Sequence, residues 1–413
     1  MTGDWATQAT GQTLPDQAGL DRAGSGAASA PRPPGLWLSR LALSDFRNYA
    51  EASVTLAAEP LLLTGPNGAG KTNLLEAVSL LAPGRGLRRA KPADLQRLAG
   101  GGPWAVAATL ETPAGPRQLG TGRDPASAPG GQTASERRLV RIDGRNARAQ
   151  SSFAELLDVV WLTPQMDGLW REGAGERRRF LDRLVFAFDP AHAGRVSGYE
   201  SALRQRTRLL QEGAADAQWL TALEEGLAER GVAIAAARAA LIARLNQAIE
   251  SAPASGFPRA ALSLSGSVDA WLARESALAA EERLRAAFVE ARGRDAEQGG
   301  SAVGPQRSDL EARHLEKNAP AGLCSTGEQK ALLVGLVLAH ARLVALERAR
   351  PPLLLLDEVA AHLDATRRDA LYDELLSLGL QAWLTGTEPA VFAALAGRAQ
   401  SLRVSDGQVH IGS

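Results

Sequence analysis

The chain has 413 residues, 45% hydrophobic and 22% charged, the composition of a soluble globular protein with room for about two or three domains. Lys+Arg and Asp+Glu both total 46, so no whole-molecule field selects nucleic acid or membrane, and any DNA contact must come from a local patch. The lone Cys324 excludes an internal disulfide and suits a reducing cytoplasm.

Residues 1–34 lack the apolar core of a signal peptide and read as a disordered leader or an over-extended start, with order expected from Leu36. LWLSRLALSDFRNYAEASVTLAAEP alternates apolar and polar residues, which predicts two strands joined by a turn near Asn48. A short buried strand, Leu61 to Leu63, then feeds Gly65-Pro66-Asn67-Gly68-Ala69-Gly70-Lys71-Thr72, a full G-x-x-x-x-G-K-[ST] match followed by a helix-period segment. The glycines let successive backbone N–H groups close round phosphates, and the helix N-terminus adds partial positive charge. Lys71 is expected to reach the β/γ-phosphates of ATP, and the Thr72 hydroxyl to ligate Mg²⁺. Only Lys71, Lys91, Lys317 and Lys330 among the 46 basic residues are lysine, so a lysine at 71 marks a place where a compact ammonium is required.

Pro83-Gly84 stops the cradle helix, and a loop carrying Arg85, Arg88, Arg89 and Lys91 follows, either a solvated loop or a nucleic-acid contact. Strands are expected at Trp104 to Leu110 and Arg138 to Ile142, round a Gly/Pro/Ser-rich mobile loop, Thr112 to Ser135. Asp143-Gly144 signals a turn, and VVWLTPQMDGLW ends a strand at Thr163-Pro164, directly before Gln165.

From Glu176 the pattern is helical for over a hundred residues, punctuated at Asp189-Pro190, Gly213 and Gly226, which predicts a hairpin bundle. ALSLSGSV reads as a strand and Ala270 to Arg292 as a further helix, with the return to the ATPase body near Gly293 to Gln306. The apolar run Ala331 to Leu346 is shorter than the roughly 20 residues of a membrane span and reads as a buried helix. Beyond the return, Ser325-Thr326-Gly327-Glu328 opens a long apolar helix, a second anion-binding device or an ordinary N-cap. PLLLLDE at 352–358 reads as a buried parallel strand ending in two carboxylates. Asp357 is expected to hold Mg²⁺ through water or Thr72, and Glu358 to polarise the attacking water.

The cradle, Gln165, S-T-G-E, D-E and Ala361-His362-Leu363-Asp364 resemble the ABC-type ATPases, and the helical split resembles their chromosome-maintenance and repair branch. LALSDFRNY, GPNGAGKTNLLEAVSLL, ERRRFLDRLVFAF, YESALRQRTRLL, GPQRSDLEA and STGEQKALLVGLVLAHA are similar to blocks of the RecF family in the same order, across most of residues 36 to 390. The resemblance implies an α/β fold, an ABC-type P-loop ATPase domain split by an inserted helical arm: tail 1–34, ATPase parts 35–175 and 296–413, arm 176–295. It implies slow ATP hydrolysis, ATP-dependent homodimerisation, binding to gapped DNA at single-strand/double-strand junctions, and cooperation with RecO and RecR in loading RecA. Ser325, Gly327 and Glu328 would face the γ-phosphate held by Lys71 of the other subunit. Gln165 would sit near the metal and attacking water, and Asp364 in a loop at the dimer interface.

Cys324 stands where the signature usually has leucine, Glu358 where many relatives have aspartate, and Thr385-Gly386-Thr387 where transporter ATPases place a switch histidine. Gln165 fits the transporter pattern better than RecF's usual acidic residue, and the alternative reading is a soluble ATPase subunit of a membrane transporter. Otherwise no membrane partner and a cytoplasmic location are expected. Candidate DNA phosphate contacts are Arg85, Arg88, Arg89, Arg177, Arg178, Arg179, Arg204, Arg206 and Arg208.

Overall fold

The computed structural model describes residues 35–123, 138–213, 217–253 and 256–412. The alternating N-terminal segment folds as an antiparallel pair, β1 (Trp37–Phe46) and β2 (Tyr49–Thr55), round a turn in which Arg47 takes φ 54°. β3 (Leu61–Thr64) runs into the glycine loop and α1 (Lys71–Ser79). β4 (Ala105–Glu111), β5 (Arg117–Arg123), β6 (Arg138–Ile142) and β7 (Arg145–Asn146) complete an antiparallel sheet of order β2-β1-β4-β5-β6-β7.

β5 corrects an expectation, because it lies inside the segment read as a mobile loop. Its Gly120 and Gly122 pair with Ala107 and Ala105 of β4, so the strand lacks apolar alternation and is made by its two ladders rather than by its own residues. Residues 124–135 of that expected loop, and the expected tail 1–34, lie outside the described residues.

β8 (Val159–Leu162) precedes a largely helical stretch of α2 (Ala174–Val185), α3 (His192–Glu212) and α4 (Ala217–Ser251). β9 (Ala260–Ser265), α5 (Ser267–Leu272), α6 (Ala277–Glu290), α7 (Arg292–Gln298), β10 (Asp309–His314) and β11 (Ala319–Pro320) follow. The single helix expected over Ala270 to Arg292 is thus three, the middle one capped by Ser276 accepting from the Ala279 N–H. Gly226 does not punctuate: α4 runs through it, since packing outweighs a glycine's cost of about 1 kcal/mol. A Cβ at the nearby Gly231 would come within 3.0 Å of Leu284, so a bare backbone there lets α6 approach.

The chain ends with α8 (Thr326–Glu347), β12 (Leu353–Leu356), α9 (Ala365–Ser377), β13 (Ala382–Gly386), β14 (Gln400–Ser405) and β15 (Gln408–Ile411). The central sheet has the order β15-β14-β3-β13-β12-β8, parallel except for β15. Both faces are covered, which is why β12 is four leucines without alternation. Leu61, Leu63, Leu353 and Leu355 pack with α1 and the antiparallel sheet; Leu62, Leu354, Leu356 and Leu384 pack with α8 and α9. α4 and α8 are long and apolar enough to cross a membrane by length and composition, but 78% of the apolar window of α8 is buried inside the protein.

The arm is tied by charge at its centre. Arg206 donates to Glu224 (2.9 Å), Asp295 (2.7 Å) and the Phe288 carbonyl (2.7 Å), and the three ionic side chains are wholly buried. Arg206→Leu leaves the buried Asp295 without a cation and Glu224 with Arg292 alone, and is expected to cost about 3–5 kcal/mol, read as a lower urea midpoint by circular dichroism. His340 of α8 is also enclosed, bonding the Leu184 carbonyl at 2.9 Å, and burial holds its pKa down to about 4. It stays neutral in the fold while the unfolded chain protonates near pH 6.5. Stability is therefore expected to fall by about 3 kcal/mol as pH drops from 6.5 to 4. His340→Leu should flatten that part of the urea-midpoint profile.

Candidate nucleotide site

The functional side chains gather at the carboxyl ends of parallel strands, where open α/β sheets place ligands. Gly65 follows β3, with φ 149°, and a Cβ there would meet the Val404 carbonyl oxygen at 2.1 Å, so only glycine fits. Gly70 closes the loop at φ 116°, where a Cβ would strike Asn48 and Tyr49 at 2.6 Å. Asn48 lies in the β1–β2 turn and Tyr49 opens β2, and the two hold the loop's far side. Asn48 donates to the Ala69 carbonyl (3.0 Å), and the Tyr49 hydroxyl to the Gly70 carbonyl (3.0 Å). Pro66, Asn67 and Gly68 are exposed at the loop's crest.

Lys71 is 5% exposed and folds back over the loop, its ammonium donating to the carbonyls of Gly65 (2.6 Å) and Pro66 (2.9 Å). Burial lowers its pKa, while the charges of Glu358 and Asp357 raise it. Across the sheet, Thr72 Oγ1 donates to Asp357 Oδ1 at 3.0 Å. β13 lies between β3 and β12, and near its end it supplies Thr385, whose hydroxyl donates to the same Asp357 oxygen (2.8 Å) and accepts from the Glu358 N–H (2.8 Å). Burial pushes the Asp357 carboxyl up, against the hydrogen bonds of Thr385 and Thr72.

Glu358 adopts φ 53°, a left-handed conformation costing a non-glycine residue about 1–3 kcal/mol. That strain turns its chain away from the strand at the point where the sheet ends. The donor set of Thr72 hydroxyl and Asp357 carboxylate suits a hard cation that takes its remaining ligands from phosphate and water, as Mg²⁺ does.

Gln165 is exposed in the turn after β8 and lines a cleft of about 600 Å³ shared with Arg85, Arg88, Arg89, Arg179 and Arg183. Its turn is pinned from two sides: Asp167 pairs with the buried Lys330 of α8 (2.9 Å), and Arg183 of α2 lies 4.3 Å over the Trp161 ring.

Ser325 caps α8 with a reciprocal box, its backbone N–H donating to Glu328 (3.0 Å). Lys317 pairs with the same carboxylate, and Lys317 and Ser325 together hold its pKa down to about 2. Ser325 and Gly327 are exposed, and among the described residues no hydrogen bond or ion pair of residues 325–328 reaches the cradle. Asp364 is exposed at the N-cap of α9, accepting from the Arg367 N–H at 2.9 Å. Cys324 packs partly against the main core, the role of an apolar residue.

The basic candidates divide sharply. Arg206 is corrected outright, since it is wholly buried with Glu224 and Asp295. Arg177 makes a two-pronged pair with Asp309 (2.7 Å for each contact), and Arg178 donates to the Ser308 carbonyl (2.8 Å). Arg88 is bound to the buried Glu76 (3.2 Å) and to Asn73 (2.5 Å), while Arg89 and Arg179 share Glu176. Arg204 and Arg208 pair with Glu200 and Glu212 on their own helix. Only Arg85 of this set is exposed with no carboxylate partner among the described residues.

Asn48, Tyr49 and Thr385 were not singled out from the sequence for this site. Asn48 and Tyr49 touch the loop only through the fold, and in the sequence Thr385 stands out only as a position without a histidine. The usable signal was the polar Asn-Tyr pair closing a hairpin just ahead of a glycine loop.

A phosphate cradle and acid pair on a two-faced parallel sheet, joined to an antiparallel lobe and interrupted by a helical arm, define an ABC/SMC-type ATPase head. The chain belongs to the RecF family. A family model described as RecF/RecN/SMC N terminal domain matches residues 37–394. The DNA replication and repair protein RecF of Mesorhizobium japonicum is 51% identical over 373 residues, covering 90% of this chain and 97% of its own. The RecF of Brucella suis is 49% identical over 383 residues, covering 92% and 97%. In fold, the chain is similar to a structure of the recombination mediator protein RecF with ATP in the RecFOR pathway, with TM-score 0.78, 22% identity and coverage of 92% and 98%. An Smc head derived from Pyrococcus furiosus follows at TM-score 0.50, 16% identity and coverage of 91% and 96%. Family membership sets aside the transporter-subunit reading.

Proposed function

We propose that this protein is a DNA-dependent molecular timer in replication and recombinational repair. ATP closes two copies on gapped DNA at a single-strand/double-strand junction, and slow hydrolysis releases them. One observation carries the reading: Ser325 and Gly327 are exposed and, among the described residues, make no hydrogen bond or ion pair to the cradle or to Asp357 and Glu358. Two copies facing each other would bring signature and cradle together twice.

Lys71 and the loop amides hold the phosphates, and Thr72 with Asp357 holds Mg²⁺, which supplies charge neutralisation on the phosphate oxygens. Glu358 accepts the proton of the attacking water, with Gln165 orienting that water from the turn after β8. Ser325, Gly327 and Glu328 reach the γ-phosphate of the second copy, and Asp364 lies at the same interface. RecO and RecR are the partners in loading RecA, in the cytoplasm. Residues 35–175 and 296–413 act as one ATPase body, and residues 176–295 as its arm.

The test is DNA binding to gapped against blunt duplex, with and without ATP, followed by anisotropy, alongside sedimentation of the DNA-free protein. Binding to gapped DNA that strengthens with ATP, and an ATP-driven shift from monomer to dimer, are expected. Equal binding with and without nucleotide overturns the reading.

A further inference from the structure

Glu76 is the one carboxylate that α1 carries, a turn beyond Thr72, and its side chain is wholly buried. An enclosed carboxylate is costly unless it is paired and hydrogen-bonded. Two guanidinium groups meet it. Arg47 makes a two-pronged contact, its Nε and Nη2 donating to the two carboxylate oxygens at 2.8 and 2.7 Å, and Arg88 donates to one of them at 3.2 Å.

Both cations belong to segments joined to the phosphate loop. Arg47 stands in the β1–β2 turn directly before Asn48 and Tyr49, the residues that hold the Ala69 and Gly70 carbonyls. Its φ of 54° is left-handed, a conformation that a non-glycine residue keeps only where its surroundings over-determine it. Three contacts do so here: Glu76, the Asp94 carbonyl, to which the side chain donates at 2.8 Å, and the Leu95 carbonyl, which accepts the backbone N–H at 2.8 Å. From the other side, Arg88 donates to Asn73 (2.5 Å), Asn73 to Asn48 (2.7 Å) and Asn48 to the Ala69 carbonyl (3.0 Å), so a chain of hydrogen bonds runs from the basic loop into the cradle.

From this ring we infer that Glu76 is a positioning residue for ATP binding: by anchoring Arg47 and Arg88 it holds Asn48 and Tyr49 where they fix the curve of the phosphate loop. The inference rests on the nucleotide site described above and adds a residue that acts on it through others. Asp357 and Glu358 are held from β13 by Thr385, outside the ring, so loss of the anchor is expected to weaken nucleotide binding and to spare the hydrolytic step. A buried ion cluster also bears on stability. That role alone does not require its cations to adjoin the very residues that hold the loop.

The experiment measures, on the full-length protein, affinity for a fluorescent ATP analogue, KM and kcat of ATP hydrolysis, and the urea midpoint, in wild type, Glu76→Gln and Asn73→Ala. Glu76→Gln keeps the shape of the side chain and removes its charge, and is expected to weaken analogue binding and raise KM by about tenfold or more with kcat within about threefold of wild type, the scale of a lost hydrogen bond to a charged group. Asn73→Ala cuts the chain between Arg88 and Asn48 without altering Glu76, and is expected to raise KM by about three- to tenfold at an unchanged urea midpoint. Wild-type affinity in either folded variant overturns the inference and leaves the cluster a stabilising one, and where Glu76→Gln does not fold, Asn73→Ala decides alone. A fall in kcat as large as the rise in KM also overturns it, by placing the effect on hydrolysis. Failure of the wild type to bind the analogue instead removes the nucleotide site itself.

Discussion

Glu358→Gln is expected to keep ATP binding, slow hydrolysis by roughly 10²–10⁴-fold, and accumulate a dimer that sediments as such at saturating ATP. The backbone N–H of residue 358 donates to Thr385 and its φ of 53° is set by the end of β12, so the amide occupies the same place as the carboxylate. What is lost is the capacity to accept the water's proton. Phosphate binding is left to Lys71 and the loop, and the metal pair to Thr72 and Asp357, none of which touches the altered group by hydrogen bond. A timer whose release step is blocked stays closed. A monomer for this variant at saturating ATP would falsify the proposed cycle.

Lys71→Ala is expected to weaken ATP binding by about 2–5 kcal/mol, from roughly thirty-fold to several-thousand-fold, measured with a fluorescent ATP analogue. The ammonium rests on the Gly65 and Pro66 carbonyls, the oxygens nearest to where phosphate oxygens would take it up. It is therefore preorganised, and its removal takes that donor from the Gly65 carbonyl while the Pro66 carbonyl keeps the Ala69 N–H at 3.3 Å. Lys71→Arg sharpens the test. Arginine keeps the charge, yet its planar fork must fit a place that is 5% exposed and shaped for a point charge, so a large loss is expected there as well. Affinity within about threefold of wild type for the alanine variant would remove Lys71 from the phosphate site, and dimerisation would have to be driven by something else.

The helix and strand pattern was legible where a single element carried its own signal. The β1–β2 pair follows the alternation, β12 its unbroken leucines, and the helices α2 to α4 their apolar periodicity. Signals failed where a partner decided the outcome. β5 exists because β4 and β6 flank it, and α4 ignores Gly226 because neighbouring helices hold it straight.

The glycine-loop motif from Gly65 to Thr72, and the strand that ends in Asp357 and Glu358, were legible in the sequence alone. Phosphate closure needs glycines at fixed offsets along a contiguous stretch, and a buried strand announces its own end. Only the tertiary structure decided which groups tune those residues. Asn48 and Tyr49 on the loop, and Thr385 on the acid pair, act across long sequence separations that no local pattern encodes. The same holds for charge. Arginines at 177, 206 and 85 are chemically identical in the sequence, and what separates them is whether folding brings up a carboxylate: Asp309 for the first, Glu224 and Asp295 for the second, and none among the described residues for the third. Pairing distance and burial, which set the worth of a charge, are properties of the folded chain.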